Sequence, residues 1–426
     1  MLLLVALAVS CGVIAWLRIP VIARDTFWAE DGRTFISSAA WGGPSVLFQP
    51  YGGYLHTVPR LVAAAVVLLP VSWWALATTA TACAIAGALA VVVFVCARDL
   101  VPWLPARCFI AGLTVIAPLA PREVLGNLAN LHSVFLWTLF WIVLARPRRL
   151  RSAIVLSIVA FLGAMTEIQA LFLAPLLLVR SRDRLVWVVR AGVIAGLVVQ
   201  LVVTVGWPRA ANTNPGVDPL SIAYGYLINA VMPLAVPQSR LGAVLASTGP
   251  AVGIAVLAVI AAGVVYVMVR GTHGQRLLAV AALSGSVLIY VASVATNPNT
   301  FYDYARLSSA QLSTVWLTRY GVVPSMLLAL VLPLAAAIAF GRRHRLPALS
   351  WSVVAVAAVS VALIAAQLGP QWTRRSDGPA WQPQLAAAFA ECRSDDELRF
   401  VNLKETIGWK VTVPCVDLTG RADADR

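Results

Sequence analysis

Three carboxylates, Asp25, Glu30 and Asp31, stand within seven residues of one another in a chain of 426 residues that holds only 18 acids. Phe27, Trp28, Phe35 and Trp41 are interleaved with them. A carboxylate pressed against aromatic surface is partly desolvated, which raises its basicity toward neutral pH. That is the range in which a general base works best. The neighbours Glu30 and Asp31 also offer oxygen ligands to a divalent cation. The expected chemistry is proton removal from a hydroxyl, by Glu30 or Asp31 directly or through a divalent metal ion that both ligate. The plain alternative is a hydrated loop.

The same stretch, residues 25–60, continues through Tyr51-Gly-Gly-Tyr54 to His56 and Arg60. His56 and Arg60 lie four apart, so a helix puts them on one face. An arginine there can clamp a phosphate bidentately; its alternative role is to snorkel to lipid headgroups. Asn127 and Asn130, three apart, also share a helical face. With His132 they can hydrogen-bond sugar or phosphate oxygens, or they can cap a helix entry. Glu167 lies inside an apolar stretch. A charge at the centre of a membrane helix costs about 2.5–3.5 kcal/mol, so Glu167 belongs near a turn, in a polar cavity or in a pair. Asp303 and Arg306 can pair locally or line a donor path, and Arg319 is a second phosphate candidate. These residues, with Asp25 and Tyr54, form the expected substrate-binding set.

Sixty per cent of the residues are hydrophobic and 12% are charged, more apolar surface than a soluble fold of this size can bury. Apolar runs broken by short arginine clusters mean a polytopic α-helical membrane protein. The ten-residue alternation of a β-barrel is absent. The net charge of +14 is spread over the ends of apolar runs. It reads as a topology signal and contact with anionic lipid, and not as nucleic-acid binding. No GxGxxG or Walker loop is present, and no loop on the arginine side is long enough for a nucleotide-binding domain. Both points argue against nucleotide-sugar donors and ATP-driven transport.

The runs predict an all-α fold of about eleven transmembrane or half-spanning helices. Residues 2–17 read as a retained anchor and 57–70, broken by Pro59 and Pro70, as an interfacial helix. Crossings are expected over 73–97, 108–120, 133–145, 185–206, 250–269, 277–295, 321–340 and 348–366. Residues 152–179 have basic clusters at both ends, so two short helices turning near Glu167 are expected, with one long helix as the alternative. Arginine clusters at 98–107, 146–151, 180–184, 270–276 and 342–345 fall on one side, which the positive-inside rule makes cytoplasmic. The N-terminus is then cytoplasmic. Residues 25–60, 121–132, Glu167, 207–248, 299–320 and the tail lie outside. Residues 1–367 are the membrane domain. Residues 368–426 are an extracytoplasmic segment, polar enough to fold as a small cap, in which Cys392 and Cys415 meet oxidising conditions and are expected to pair. Loop 207–248 carries no readable motif.

An acid pair just after the first span, followed by an aromatic and a small residue, resembles the GT-C superfamily of membrane glycosyltransferases. The pattern here is Glu30-Asp31-Gly32-Arg33-Thr34-Phe35-Ile36-Ser37-Ser38-Ala39. Glu precedes Asp, a departure from the family's order that leaves open which carboxylate is the base. Phe48 through Arg60, Gly126 through His132, Arg319 through Pro324 and Gly408 through Cys415 further resemble a group of actinobacterial membrane proteins of this type, which brings no substrate. The resemblance implies a cell-membrane enzyme that moves a sugar from a polyprenyl-phosphate donor to a cell-envelope glycan or glycolipid acceptor, inverting the anomeric centre. An acid of the pair would activate the acceptor hydroxyl or hold a metal that does. A transporter or flippase is the main rival; it predicts internal repeats, and none is seen. A non-catalytic assembly protein would tolerate loss of Glu30 and Asp31.

Overall fold

The computed structural model describes residues 2–179, 181–210, 214 and 216–420. Arg180 of the third arginine cluster, four residues of the 207–248 loop and the end of the tail lie outside the described residues. Among those described, seven helices are long and apolar enough to cross a membrane: Val71–Asp99, Leu104–Glu123, Arg184–Gly206, Ala251–Arg270, His273–Thr296, Arg319–Gly341 and Pro347–Ala365. Shorter apolar helices of 10–17 residues stand among them, including Leu2–Leu17, Leu131–Leu144 and Leu150–Ala164.

The helix Arg319–Gly341 is the centre of the bundle, 94% buried along its apolar stretch. Pro347–Ala365 is 17% buried and Ala251–Arg270 22%, so these two present apolar surface outward, as lipid-facing helices do. Small residues set the close crossings. Gly87 faces Gly12 and the backbone of Ala8, and Gly192 faces Ser157. A Cβ at either glycine would collide with the opposite backbone. Such packing is expected where lipid tails remove the hydrophobic drive between helices. Arg18, fully buried at the end of the first helix, donates to the carbonyls of Val115 at 2.6 Å and Ala117 at 3.0 Å. These carbonyls lie at the end of the helix Leu104–Ile116, where the last carbonyls lack an intrahelical donor; Ala117 O also accepts from Ala120 N at 3.1 Å.

Several expectations are refined. The 152–179 stretch is not one helix. Leu150–Ala164 stops, and a 3-10 turn resumes at Ile168 beyond Glu167. The gap is filled by the end of the 25–60 stretch: Thr57 Oγ1 donates to Met165 O at 3.0 Å, and Thr166 Oγ1 accepts from Val58 N at 3.2 Å. The 25–60 stretch is itself partly helical, with a π-helical turn over Asp31–Ile36 and a helix over Thr57–Val66. Pro59 does not break the latter because it sits in the first turn, where no backbone donor is needed. The 207–248 segment, expected as a loop, carries helices over Pro219–Tyr226 and Gln238–Thr248. Asp218 accepts from Ser221 N and caps the first of these, and Pro219 fills its opening position.

The all-α expectation fails in the tail. After the helix Gln382–Ser394 comes an antiparallel hairpin, Phe400–Lys404 against Lys410–Pro414, with Val401 opposite Val413 and Leu403 opposite Val411. Those four apolar residues form its buried face, the period-two pattern of a one-sided sheet. Cys392 and Cys415 are joined by a disulfide that spans 23 residues. A loop of that size is worth about 3 kcal/mol. Reduction is therefore expected to open the tail to limited proteolysis while the bundle stays protected. A tail that resists protease equally before and after reduction would contradict this.

Candidate active site

The acid loop is held from below and from above. Asp31 is fully buried and accepts from Leu128 N at 3.0 Å on both oxygens and from Ala129 N at 2.8 Å. From the tail, Arg375 donates to Gly126 O at 2.6 Å, Thr26 O at 2.9 Å and Thr79 Oγ1 at 2.6 Å. One guanidinium thus ties the acid loop, the 126–129 loop and the helix Val71–Asp99. Trp381 N donates to Asp25 O at 2.7 Å and Gln382 N to the Asp25 carboxylate at 3.1 Å. Thr406 Oγ1 reaches Phe27 O at 2.8 Å, and Glu405 packs on Gly32. Between these anchors Ala29 adopts φ 49°, a left-handed conformation that a non-glycine residue adopts at a cost of about 1–3 kcal/mol. That kink separates Glu30 from its neighbours. The Glu30 side chain accepts no hydrogen bond among the described residues and lines a cavity.

The cavity measures about 1130 Å³ and opens at the end of the bundle beside the acid loop. One wall is the turn Tyr51-Gly-Gly-Tyr54, bridged between Tyr51 and Tyr54, with Gly52 and Gly53 at φ 61° and 87°. Only glycine adopts such angles without strain. Tyr54 stacks on His56 with centroids 4.2 Å apart. Burial, with Glu167 and Glu30 nearby, raises the pKa of the Tyr54 phenol. Burial lowers His56 to about 3, with His132 and Arg60 adding to the effect, so its ring is neutral. An ion pair and a histidine–carboxylate hydrogen bond also contribute to the lining. Arg319 Nη1 lies 2.8 Å from Glu123 Oε2, and His132 Nδ1 meets Glu167 Oε2. Glu167 Oε1 also accepts from Gln169 N at 2.7 Å, and Gln169 Nε2 donates to Ser293 Oγ at 2.8 Å. The His132 ring is therefore oriented by a carboxylate, with Nε2 left for the cavity. Leu136, Phe172, Ile289 and Val323 supply apolar lining.

The sequence candidates divide. Glu30, Tyr54, His56, Asn130, His132, Glu167 and Arg319 line the cavity. Asp25, Asp31, Arg60, Asn127, Asp303 and Arg306 do not. Asp25 docks the tail. Asp31, expected as a base, is spent on backbone amides. Arg60 is buried against Phe35 and donates to Ser38 Oγ at 3.2 Å; it cannot snorkel and does not reach the cavity. Asn127 accepts from Asn130 N at 2.8 Å and bonds Glu123 O, so it shapes the loop. Asp303 pairs with Arg306 at 3.4 Å and accepts from Ser221 Oγ at 2.7 Å, the local alternative. Glu123, Tyr51, Tyr320 and Arg375 were not singled out. Each gains its role from a partner more than a hundred residues away or from a wall assembled in space, and no local spacing signals that.

The pair does not suit a shared metal. Both Asp31 oxygens are taken by amides, and only Glu30 of the two faces the cavity. Among the described residues, no three His, Cys, Asp or Glu side chains converge on one point.

The buried acids make the docked tail pH-dependent. Burial pushes Asp31 up to about 7, against the pull of the Ala129 and Leu128 amides and Arg375. Burial, with Asp31 and Glu30 close by, pushes Glu405 up to about 9. A carboxyl whose folded pKa is raised binds protons more tightly in the native state, so stability is fully present below its unfolded value and is lost as pH rises through the folded one. The melting temperature is expected to fall between about pH 4 and 9 on these terms, and Glu405→Gln should flatten the limb above pH 7. An unaltered limb in that variant would contradict the assignment.

Comparison with protein families, with curated proteins and with solved structures finds no match for this chain.

Proposed function

We propose that the chain is an integral membrane glycosyltransferase of GT-C type, moving a sugar from a polyprenyl-phosphate donor to a glycan or glycolipid acceptor on the extracytoplasmic side of the cell membrane. The observation that carries this is Glu30, the one carboxylate of the acid loop without a hydrogen-bond partner among the described residues, held by a strained backbone in the lining of a cavity that also presents Arg319 and His132. The acceptor hydroxyl gives its proton to Glu30. Its oxygen attacks the anomeric carbon from the face opposite the phosphate. The bond from that carbon to the phosphate oxygen breaks, and the electron pair leaves with the polyprenyl phosphate. Arg319, anchored by Glu123, receives that charge as a preorganised donor, and His132, oriented by Glu167, joins it when its Nε2 carries a proton. Tyr51, Tyr54 and Tyr320 offer faces for the sugar ring, and the apolar part of the lining suits an isoprenoid. Asp31 acts as a positioning residue. The orientation with the cavity outside and the arginine clusters inside follows the positive-inside rule.

A transporter is the second reading. It draws on the break at Met165–Glu167 and on the pairing of half-buried His132 with buried Glu167 in the cavity lining, features that transport sites share. The test is sugar transfer by the purified protein in proteoliposomes, offered labelled polyprenyl-phosphate sugars in one arm and nucleotide sugars in another. Transfer from the lipid-linked arm alone is expected. No transfer from either arm, with labelled lipid redistributed across the bilayer, would favour the transporter.

A further inference from the structure

Arg122 and Arg374 converge on one indole. Their guanidinium carbons lie 4.5 and 4.4 Å from the centroid of the Trp316 ring. The two cations therefore stand within about 9 Å of each other, close to the screening length of physiological salt. The other arginines stacked on rings among the described residues each have a ring to themselves. Neither Arg122 nor Arg374 forms an ion pair there. Glu123 is committed to Arg319, and Asp377 accepts from Trp372 Nε1 at 2.8 Å. Arg122 Nε is buried without a hydrogen-bond partner. A single stacked arginine is ordinary surface packing. Two on one partly covered ring repel each other, and an anion within reach of both removes that repulsion while accepting charge-assisted hydrogen bonds.

The place of the pair matters. Arg122 precedes Glu123, which holds Arg319 in the cavity wall. Arg374 precedes Arg375, the tether of the acid loop. Trp316 is fixed by its carbonyl, which accepts from Tyr304 Oη at 2.9 Å. None of the three lines the cavity, yet Trp316 is three residues from Arg319, which does, Arg122 adjoins the Glu123 that pairs with Arg319, and Arg374 adjoins the Arg375 that tethers the acid loop. We propose that Arg122, Arg374 and Trp316 form a second site, beside the cavity, that binds a phosphate group carried by the acceptor. Only the word acceptor rests on the glycosyl-transfer reading; the site does not. The phosphate belongs either to a lipid headgroup or to a soluble phosphorylated molecule.

The test uses the full chain in uncharged detergent, titrated with inorganic phosphate against chloride at matched ionic strength, with melting temperature as the readout. A stabilising shift is expected in the wild type. In an Arg122→Gln, Arg374→Gln double variant the apparent phosphate affinity should weaken about tenfold or more, the worth of a lost charged hydrogen bond. Arg319→Gln removes any response that arises in the cavity and should keep the part that the double variant loses. Repeating the titration in nanodiscs separates the sources. Loss of the response in phosphatidylglycerol but not phosphatidylcholine assigns the site to a lipid headgroup, and its persistence in both assigns it to a soluble phosphate. No shift in the wild type, equal shifts in wild type and double variant, or a shift lost only with Arg319, would each overturn the proposal. No sugar transfer is measured, so failure of the glycosyltransferase reading leaves this result standing.

Discussion

Glu30→Gln is expected to lower sugar transfer by about 10²–10⁴-fold, the range a positioned general base supplies. The amide has the same shape and breaks no hydrogen bond among the described residues, so the melting temperature should stay at the wild-type value. The loss should fall on kcat, with the donor KM near unchanged, because proton removal stabilises the transition state and not the bound donor. Steady-state kinetics with saturating acceptor would read this directly. A variant that loses donor binding instead, with kcat intact, would make Glu30 a binding residue.

Arg375→Ala is expected to have the largest effect on stability. It leaves Gly126 O, Thr26 O and the Thr79 hydroxyl without their donor and strips Asp31 of the nearby cation that helps hold its charge. Removing one member of such a buried charged network costs about 3–5 kcal/mol. The tail should detach from the acid loop, with a lower melting temperature and protease cuts between 368 and 420. Arg375→Lys should recover only part of the loss, since one ammonium cannot span three segments in the way a planar guanidinium does. A melting temperature unchanged in Arg375→Ala would show that the tail docks without this contact.

The bundle was legible because hydropathy over windows of this length leaves few alternatives. Val71–Asp99 and His273–Thr296 lie where their apolar runs end in arginine or polar loops. The hairpin at 400–414 was missed although its buried residues alternate, because five-residue strands in a polar tail give a weak signal. The helix at Pro219–Tyr226 was missed despite the Asp218-Pro219 start, since the surrounding Pro and Gly suggested a loop. The site was half legible. Acids, histidines and arginines near the expected outer loops included most of the charged and histidine residues that line the cavity, but composition could not rank them. Glu30 and Asp31 are neighbours with the same chemistry, and only the Ala29 kink and the amides of Leu128 and Ala129 separate their roles. Asn127 and Arg60 looked like ligand groups because polar residues that serve a fold and those that serve a ligand have the same side chains.

The central claim is that Glu30, and not Asp31, is the base. Its most direct test is transfer of labelled sugar from polyprenyl phosphate by wild type, Glu30→Gln and Asp31→Asn, with each rate divided by the amount of folded protein. The account predicts that Glu30→Gln is inactive while folded. Asp31→Asn folds less well, because an amide group faces the Leu128 and Ala129 donors at a cost of about 1–3 kcal/mol, yet its folded fraction keeps a rate within a few-fold of wild type. A folded, inactive Asp31→Asn beside an active Glu30→Gln would contradict the account.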